Sequence, residues 1–251
     1  MSAAWSNLAS LGRLVLGGVT NLIYPNTCWL CGDVMPPEQE HVCARCLPAL
    51  TVDPFFTCPR CASSVGPHLV LPDGCPACRD HSFAFDGVLR MGLYDGVLRD
   101  VILRMKNWSG EDLAEVIAGI WARVMATRVK ALAPDFVISI PLHWGRRWQR
   151  GFNSCDVLAH SLALALAIPF RPRILRKARA TPLQTQQSSA TARRENVKHA
   201  FEARNAGEIE GKNVLLVDDV LTTGATASEA AKALRVLKPR SIHVVVMAHS
   251  H

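Results

Sequence analysis

Val214-Leu215-Leu216-Val217-Asp218-Asp219-Val220-Leu221-Thr222-Thr223-Gly224-Ala225-Thr226 decides how the chain is read. Its first four residues are an unbroken apolar run, which suits a strand covered on both faces. Two adjacent acids follow at the carboxyl end of that run, and a helical pattern opens directly behind the threonines. In open α/β sheets this is where ligands bind. Thr222, Thr223 and Thr226 offer hydroxyls, Gly224 lets backbone approach closely, and the first amides of a helix lack internal partners. Such a turn holds a phosphate through N–H groups and the positive end of the helix dipole. The twin carboxylates repel each other unless a cation or several donors stand beside them, a need that a ribose diol with Mg²⁺ meets. The plainer alternative is a polar strand-to-helix turn capped by threonine.

Working outward, the apolar spacing predicts strands over 87–93, 136–140, 214–217 and 242–247, and helices over 97–105, 112–132, 154–167 and 227–237. Alternation of this kind defines an α/β protein with a parallel sheet flanked by helices. At 251 residues, 49% hydrophobic and 20% charged, the chain suits one large domain plus something smaller. That composition excludes a disordered chain. No uncharged apolar run of about 18 residues occurs, so no transmembrane segment is expected. Within residues 1–26, Leu8, Leu11, Leu14 and Val15 fall on one face of a short amphipathic helix. It lacks the basic start and small-residue cleavage site of a signal peptide, so a cytoplasmic location is expected.

Eight of the nine cysteines form four C-x-x-C pairs: Cys28/Cys31, Cys43/Cys46, Cys58/Cys61 and Cys75/Cys78. Each pair puts two thiolates on one side of a tight turn, and two such turns supply the four soft ligands zinc favours. Between Cys28 and Cys78 stand eight prolines, five acids and only scattered large apolar residues, too little for a core, so metal takes its place. Two structural zinc sites are expected. Sequential sharing (28/31 with 43/46, 58/61 with 75/78) is preferred because short connections favour neighbouring pairs; interleaved sharing would give a cross-brace. A disulfide scaffold would require secretion, for which no signal is seen. Cys155, alone in an apolar stretch, reads as a buried small hydrophobe.

The net charge of +7 is unevenly placed. Residues 1–85 carry 4 basic and 6 acidic residues, whereas 146–204 carry 12 basic and 3 acidic, which points to a polyanion or phosphorylated partner for the second stretch. Trp144 and Trp148, interleaved with Arg146, Arg147 and Arg150, suggest base stacking beside a phosphate-tracking surface.

The acidic pair with Thr-Thr-Gly-Ala-Thr resembles the 5-phosphoribosyl-1-pyrophosphate (PRPP) motif of the type I phosphoribosyltransferases. The likeness extends over most of the chain through the four cysteine pairs, Tyr94-Asp-Gly-Val, Leu103-Arg-Met-Lys106, Ile140-Pro-Leu-His143, Arg150-Gly-Phe-Asn153, Arg194-Glu-Asn-Val197 and Ala200-Phe201. Together these are similar to the ComF family, and within it to GntX-type proteins with a double zinc ribbon. The resemblance implies an N-terminal helix over 1–26, a double zinc ribbon over 27–82, and over 83–251 a type I phosphoribosyltransferase-like parallel sheet flanked by helices. It implies an association with natural competence, DNA uptake and the use of external DNA.

Site residues follow from the same likeness. Asp218 and Asp219 would grip the ribose hydroxyls as the catalytic acids, and Thr222, Thr223, Gly224, Ala225 and Thr226 the 5′-phosphate. Pro141, Leu142 and His143 would face the pyrophosphate with Mg²⁺, joined by Arg176, Lys177 and Arg179 from a loop expected to close over the site. Lys106, Arg146, Arg147, Arg150 and Asn153 are candidate contacts to nucleic acid, with Asn153 readable equally as a helix cap. Family members often carry an aromatic residue directly after the lysine at 106 and Gln after the asparagine at 153, whereas this chain has Asn107 and Ser154. Two readings of function result. One is a transferase using PRPP and Mg²⁺, for which no acceptor is identified; the other is a non-catalytic competence factor binding PRPP or single-stranded DNA, with competence proteins as partners.

Overall fold

A nine-residue strand of near-continuous apolar character dictates the architecture. The computed structural model describes residues 25–67, 71, 74–142, 145, 148, 151–179, 195, 197–204 and 206–250. The expected helix in the first 26 residues lies almost wholly outside them. In chain order the elements are α1 (Cys46–Thr51), β1 (Phe56–Thr57), β2 (Ser64–Val65), β3 (Gly87–Leu93), α2 (Gly96–Met105), α3 (Glu111–Val129), β4 (Phe136–Ser139), α4 (Ser154–Leu166), β5 (Leu175–Lys177), β6 (Phe201–Ala203), β7 (Asn213–Leu221), α5 (Ala225–Arg235) and β8 (Ser241–His249). Among the described residues no helix is long and apolar enough to cross a membrane.

Four strands form a parallel sheet in the order β3-β8-β7-β4. Because side chains alternate across a strand, Val214 and Leu216 of β7, Ile242, Val244 and Val246 of β8, and Phe136 and Ile138 of β4 share one face. There they bury Ala227, Ala230, Ala231 and Leu234 of α5. Small residues on this helix let it lie close to the sheet. Leu215, Val217 and Val245 point to the opposite face, where α3 and α4 pack against strands of the sheet. Trp121 of α3, fully buried, donates its indole N–H to the Val246 carbonyl at 3.3 Å. β5 and β6 make a separate antiparallel pair against α5.

Strand β7 outruns its expected end at Val217. Pairing with β8 continues through Asp218↔Val246, Val220↔Ala248 and Leu221↔His249. Backbone hydrogen bonds set the length of a central strand, and the acids do not interrupt them. Both outer strands are also covered. Val88 of β3 donates to the Pro59 carbonyl at 3.0 Å, and Val137 of β4 donates to Pro169 while accepting from Arg171. Gly87 permits the first contact, since a Cβ there would stand 2.8 Å from the Pro59 oxygen.

The chain divides into two compact units, residues 1–49 and 50–251. The small unit holds Cys28, Cys31, Cys43 and Cys46, with Trp29 edge-on to His41 at 4.9 Å. The large unit holds the sheet together with Cys58, Cys61, Cys75 and Cys78.

Arg90 joins these last cysteines' segment to the sheet. It projects from β3, is fully buried, and donates to Asp53 at 2.7 Å, to the Ala62 carbonyl at 2.7 Å and to Ser64 Oγ at 2.8 Å. A buried charge is tolerable only when paired and hydrogen-bonded in this way. Arg90→Ala strands the Asp53 carboxylate, so we expect a loss of about 3–5 kcal/mol, read from urea denaturation; a loss below about 1 kcal/mol would show that water reaches the pair.

Candidate functional site

Three carboxyl ends of the parallel sheet meet where β7 carries its acids. Asp218 and Asp219 are partly exposed, and Asp219 donates its backbone N–H to Asp218 Oδ1 at 2.9 Å. Pro141 and Leu142 follow Ile140, whose amide donates to the carbonyl of Val217, the residue before the acids, at 2.8 Å. His143 lies outside the described residues, as do Arg146, Arg147 and Arg150.

Two partners of the acids were not legible from sequence. Lys106, at the end of α2, places Nζ 3.0 Å from Asp219 Oδ2, and Cys155, in the first turn of α4, donates its thiol to Asp218 Oδ1 at 3.5 Å. Burial disfavours the charge on Lys106, but Asp219 and Asp218 outweigh it and raise its pKa. Burial and then the two acids push the Cys155 thiol well above its usual range. Asp218 is driven up to about 7 by burial and by the charge of Asp219, against the Asp219 amide, Lys106 and Cys155. The pair therefore holds the Lys106 ammonium at Asp219, while burial and that neighbouring carboxylate disfavour ionisation of Asp218.

Behind the acids the loop turns at Gly224, which has φ +71° and serves as the N-cap of α5 without a capping side chain. Thr223 Oγ1 accepts from the Ala225 amide at 3.4 Å. The positive end of α5 thus opens just past the end of the strand that carries Asp218 and Asp219, an arrangement suited to a phosphate next to a diol. A cavity of about 250 Å³ adjoins this loop, walled by Thr223, Ala225, Ser228 and the run 80–83.

The remaining candidates fall elsewhere. Arg176 and Lys177 lie in β5 and so are not part of a free loop: Arg176 pairs with Glu202 of β6 at 2.5 Å, and the Lys177 ammonium sits 5.5 Å over the Phe201 ring. Arg179 donates to the Lys198 carbonyl at 2.8 Å, while residues 180–187 are outside the described set. Asn153 is buried and caps α4, accepting from the Cys155 amide and donating to the Ile140 carbonyl and Asp156.

The eight paired cysteines assemble as two tetrads of sequential pairs, each with its sulfurs within 4.8 Å of one another. Ligands 2.3 Å from a tetrahedral metal stand about 3.8 Å apart. Cys31–Cys43 and Cys58–Cys78 are at 3.8 Å, Cys75–Cys78 at 3.7 Å and Cys61–Cys75 at 3.5 Å, so both tetrads could hold zinc. Burial raises the Cys58 thiol, but the amides of Cys61, Arg60 and Cys75 prevail and bring it to about 7, favouring the thiolate a metal takes. The first tetrad is partly open at Cys31; the second is buried throughout.

Sheet, acid pair and glycine-opened helix define a protein of the phosphoribosyltransferase fold, and the phosphoribosyl transferase domain matches residues 153–251. DNA utilization protein YhgH of Salmonella typhi is 32% identical over 218 residues, covering 85% of this chain and 92% of its own. Competence protein F of Haemophilus influenzae is 30% identical over 228 residues, covering 89% and 96%. The chain belongs to the ComF family. Among solved structures, the glutamine PRPP amidotransferase from B. subtilis complexed with ADP and GMP is 24% identical, with a TM-score of 0.39 over 58% of this chain and 30% of its own.

Proposed function

We propose that the chain binds PRPP with Mg²⁺ at Asp218–Thr226, as a ComF-type protein serving DNA uptake and the use of external DNA. The observation that carries this reading is the succession, at the carboxyl edge of the sheet, of an acid pair near the end of β7 and a helix N-terminus opened by Gly224. The acids and loop residues present suit the group: carboxylates for a diol and a divalent cation, main-chain amides for the 5′-phosphate. Mg²⁺ would neutralise pyrophosphate charge near Pro141 and Leu142. Lys106 would release Asp219 as the ligand's own donors arrive. Two structural zinc ions would hold the tetrads, and thiols kept reduced for that purpose suit the cytoplasm.

A second reading has an observation of its own. Arg176 and Arg179 are engaged with Glu202 and the Lys198 carbonyl, which favours a protein that retains PRPP, or holds single-stranded DNA, without turning a substrate over.

One assay separates the two. PRPP with Mg²⁺ raises the melting temperature under both readings, by about 5 °C at one hundred times Kd. Pyrophosphate released in the presence of nucleobases, amines or oligonucleotides establishes a transferase, and protection without release establishes the binding protein. Absence of protection at millimolar PRPP removes both PRPP readings and leaves single-stranded DNA, whose binding should weaken as salt rises.

A further inference from the structure

The floor of the phosphate loop begins in the second cysteine tetrad. Phe83 stands five residues after Cys78 and packs both against the buried tetrad and against the core beneath the sheet. Its ring stacks on Phe85 with centroids 4.7 Å apart and planes 13° from parallel. A Cβ placed on Gly224 would meet Phe83 Cε1 at 3.1 Å and Phe85 Cζ at 3.5 Å. The stacked rings therefore lie directly against the residue whose left-handed backbone turns the loop into α5.

The same ring is fixed from the metal side. Arg60, between Cys58 and Cys61, sits 5.9 Å over it and donates to the carbonyls of Cys78 at 3.3 Å and His81 at 2.5 Å. On the far side Ala84 donates to Ser228 Oγ at 3.1 Å and accepts from Arg235 at 2.9 Å, tying the run to both ends of α5. From tetrad to loop the contacts are continuous, and every link is a packed ring or a hydrogen bond.

Resting on the reading of the loop as a phosphate cradle, we propose that Phe83 is a positioning residue for that loop, held in place by metal at Cys58, Cys61, Cys75 and Cys78, so that metal occupancy of this tetrad and anion binding at residues 222–226 strengthen each other. Opening the tetrad frees Arg60 and the 78–83 run, Phe83 withdraws from Gly224, and the amides lose their common aim. Such coupling is reciprocal.

The test uses the full chain with the first tetrad emptied by Cys28→Ser and Cys31→Ser, so that zinc is held only by the second. Competition with a zinc-selective chelator should give an apparent zinc affinity about tenfold tighter in saturating PRPP and Mg²⁺. An unchanged affinity in a protein whose melting temperature PRPP does raise overturns the coupling. Hydrogen exchange supplies a readout that does not need PRPP: Phe83→Ala should speed exchange of the 222–226 amides about tenfold while Phe83→Leu, which keeps the apolar floor, changes it less than threefold. Equal exchange in wild type and Phe83→Ala overturns the proposal whether or not PRPP binds. Faster exchange in a protein that binds no PRPP leaves the coupling standing and refutes the ligand.

Discussion

Asp218→Asn weakens binding of PRPP with Mg²⁺ by at least about 100-fold and, at the same time, makes the ligand-free protein more stable at neutral pH. The loss follows from removing a carboxylate that accepts from ligand hydroxyls and faces a cation, charge-assisted contacts worth about 1.5–3 kcal/mol each. The gain follows from linkage. In the folded chain Asp218 titrates near 7, well above the ordinary 3.8. Below about pH 4 both folded and unfolded forms are protonated and the carboxyl costs nothing. As pH rises the unfolded chain ionises first, and the folded chain is penalised until Asp218 itself ionises, the full cost standing above about pH 7. Asparagine removes that cost while its amide oxygen still accepts from Cys155 and from the Asp219 amide. Since Asp218 retains some contact with solvent, the gain at pH 8 is on the order of 2 kcal/mol. Melting curves from pH 4 to 8 should show the variant and wild type together at the acid end and diverging upward; parallel curves would show that Asp218 is ionised at no cost. Asp219→Asn behaves differently, because it leaves the Lys106 ammonium without its 3.0 Å partner.

Cys58→Ser should lower the melting temperature of the large unit by about 10 °C or more, through loss of roughly 3–5 kcal/mol. Cys58 is fully buried, the other three sulfurs of its tetrad are nearly so, and the cluster stands where apolar side chains would otherwise fill the core. Serine cannot replace the thiolate, and three buried sulfurs lose their common centre. Cys31→Ser is the matched change in the first tetrad, where the thiol is exposed. It should reduce bound zinc by one ion per chain while leaving the melting of residues 50–251 within about 2 °C. Metal analysis beside circular dichroism decides the matter: equal thermal losses in the two variants would mean that burial of the second tetrad contributes nothing.

What the sequence made legible was chemistry carried by contiguous residues. The apolar run before Asp218, the glycine at the start of α5 and the spacing of the cysteine pairs each encode local geometry, and the sheet, the loop and the sequential pairing of thiols all follow from them. Contacts distant in sequence were not legible. Lys106 read as a candidate contact to nucleic acid because nothing near it in the chain announces Asp219, 113 residues on; only the gathering of carboxyl ends in a parallel sheet brings them together. Cys155 read as a small hydrophobe, and it is buried, but its thiol also meets Asp218. The basic stretch at 176–179 read as a loop because its pairing strand begins only at Phe201. Arg90 gave no sign of its burial, which depends on an acid 37 residues earlier.

The backbone contacts flanking the sheet carry a last consequence. With Pro59 against β3 and residues 169–171 against β4, each border already has part of its ladder taken up, at Val88 and at Val137. Another copy or an extended peptide adding a strand at either border would first have to displace these contacts.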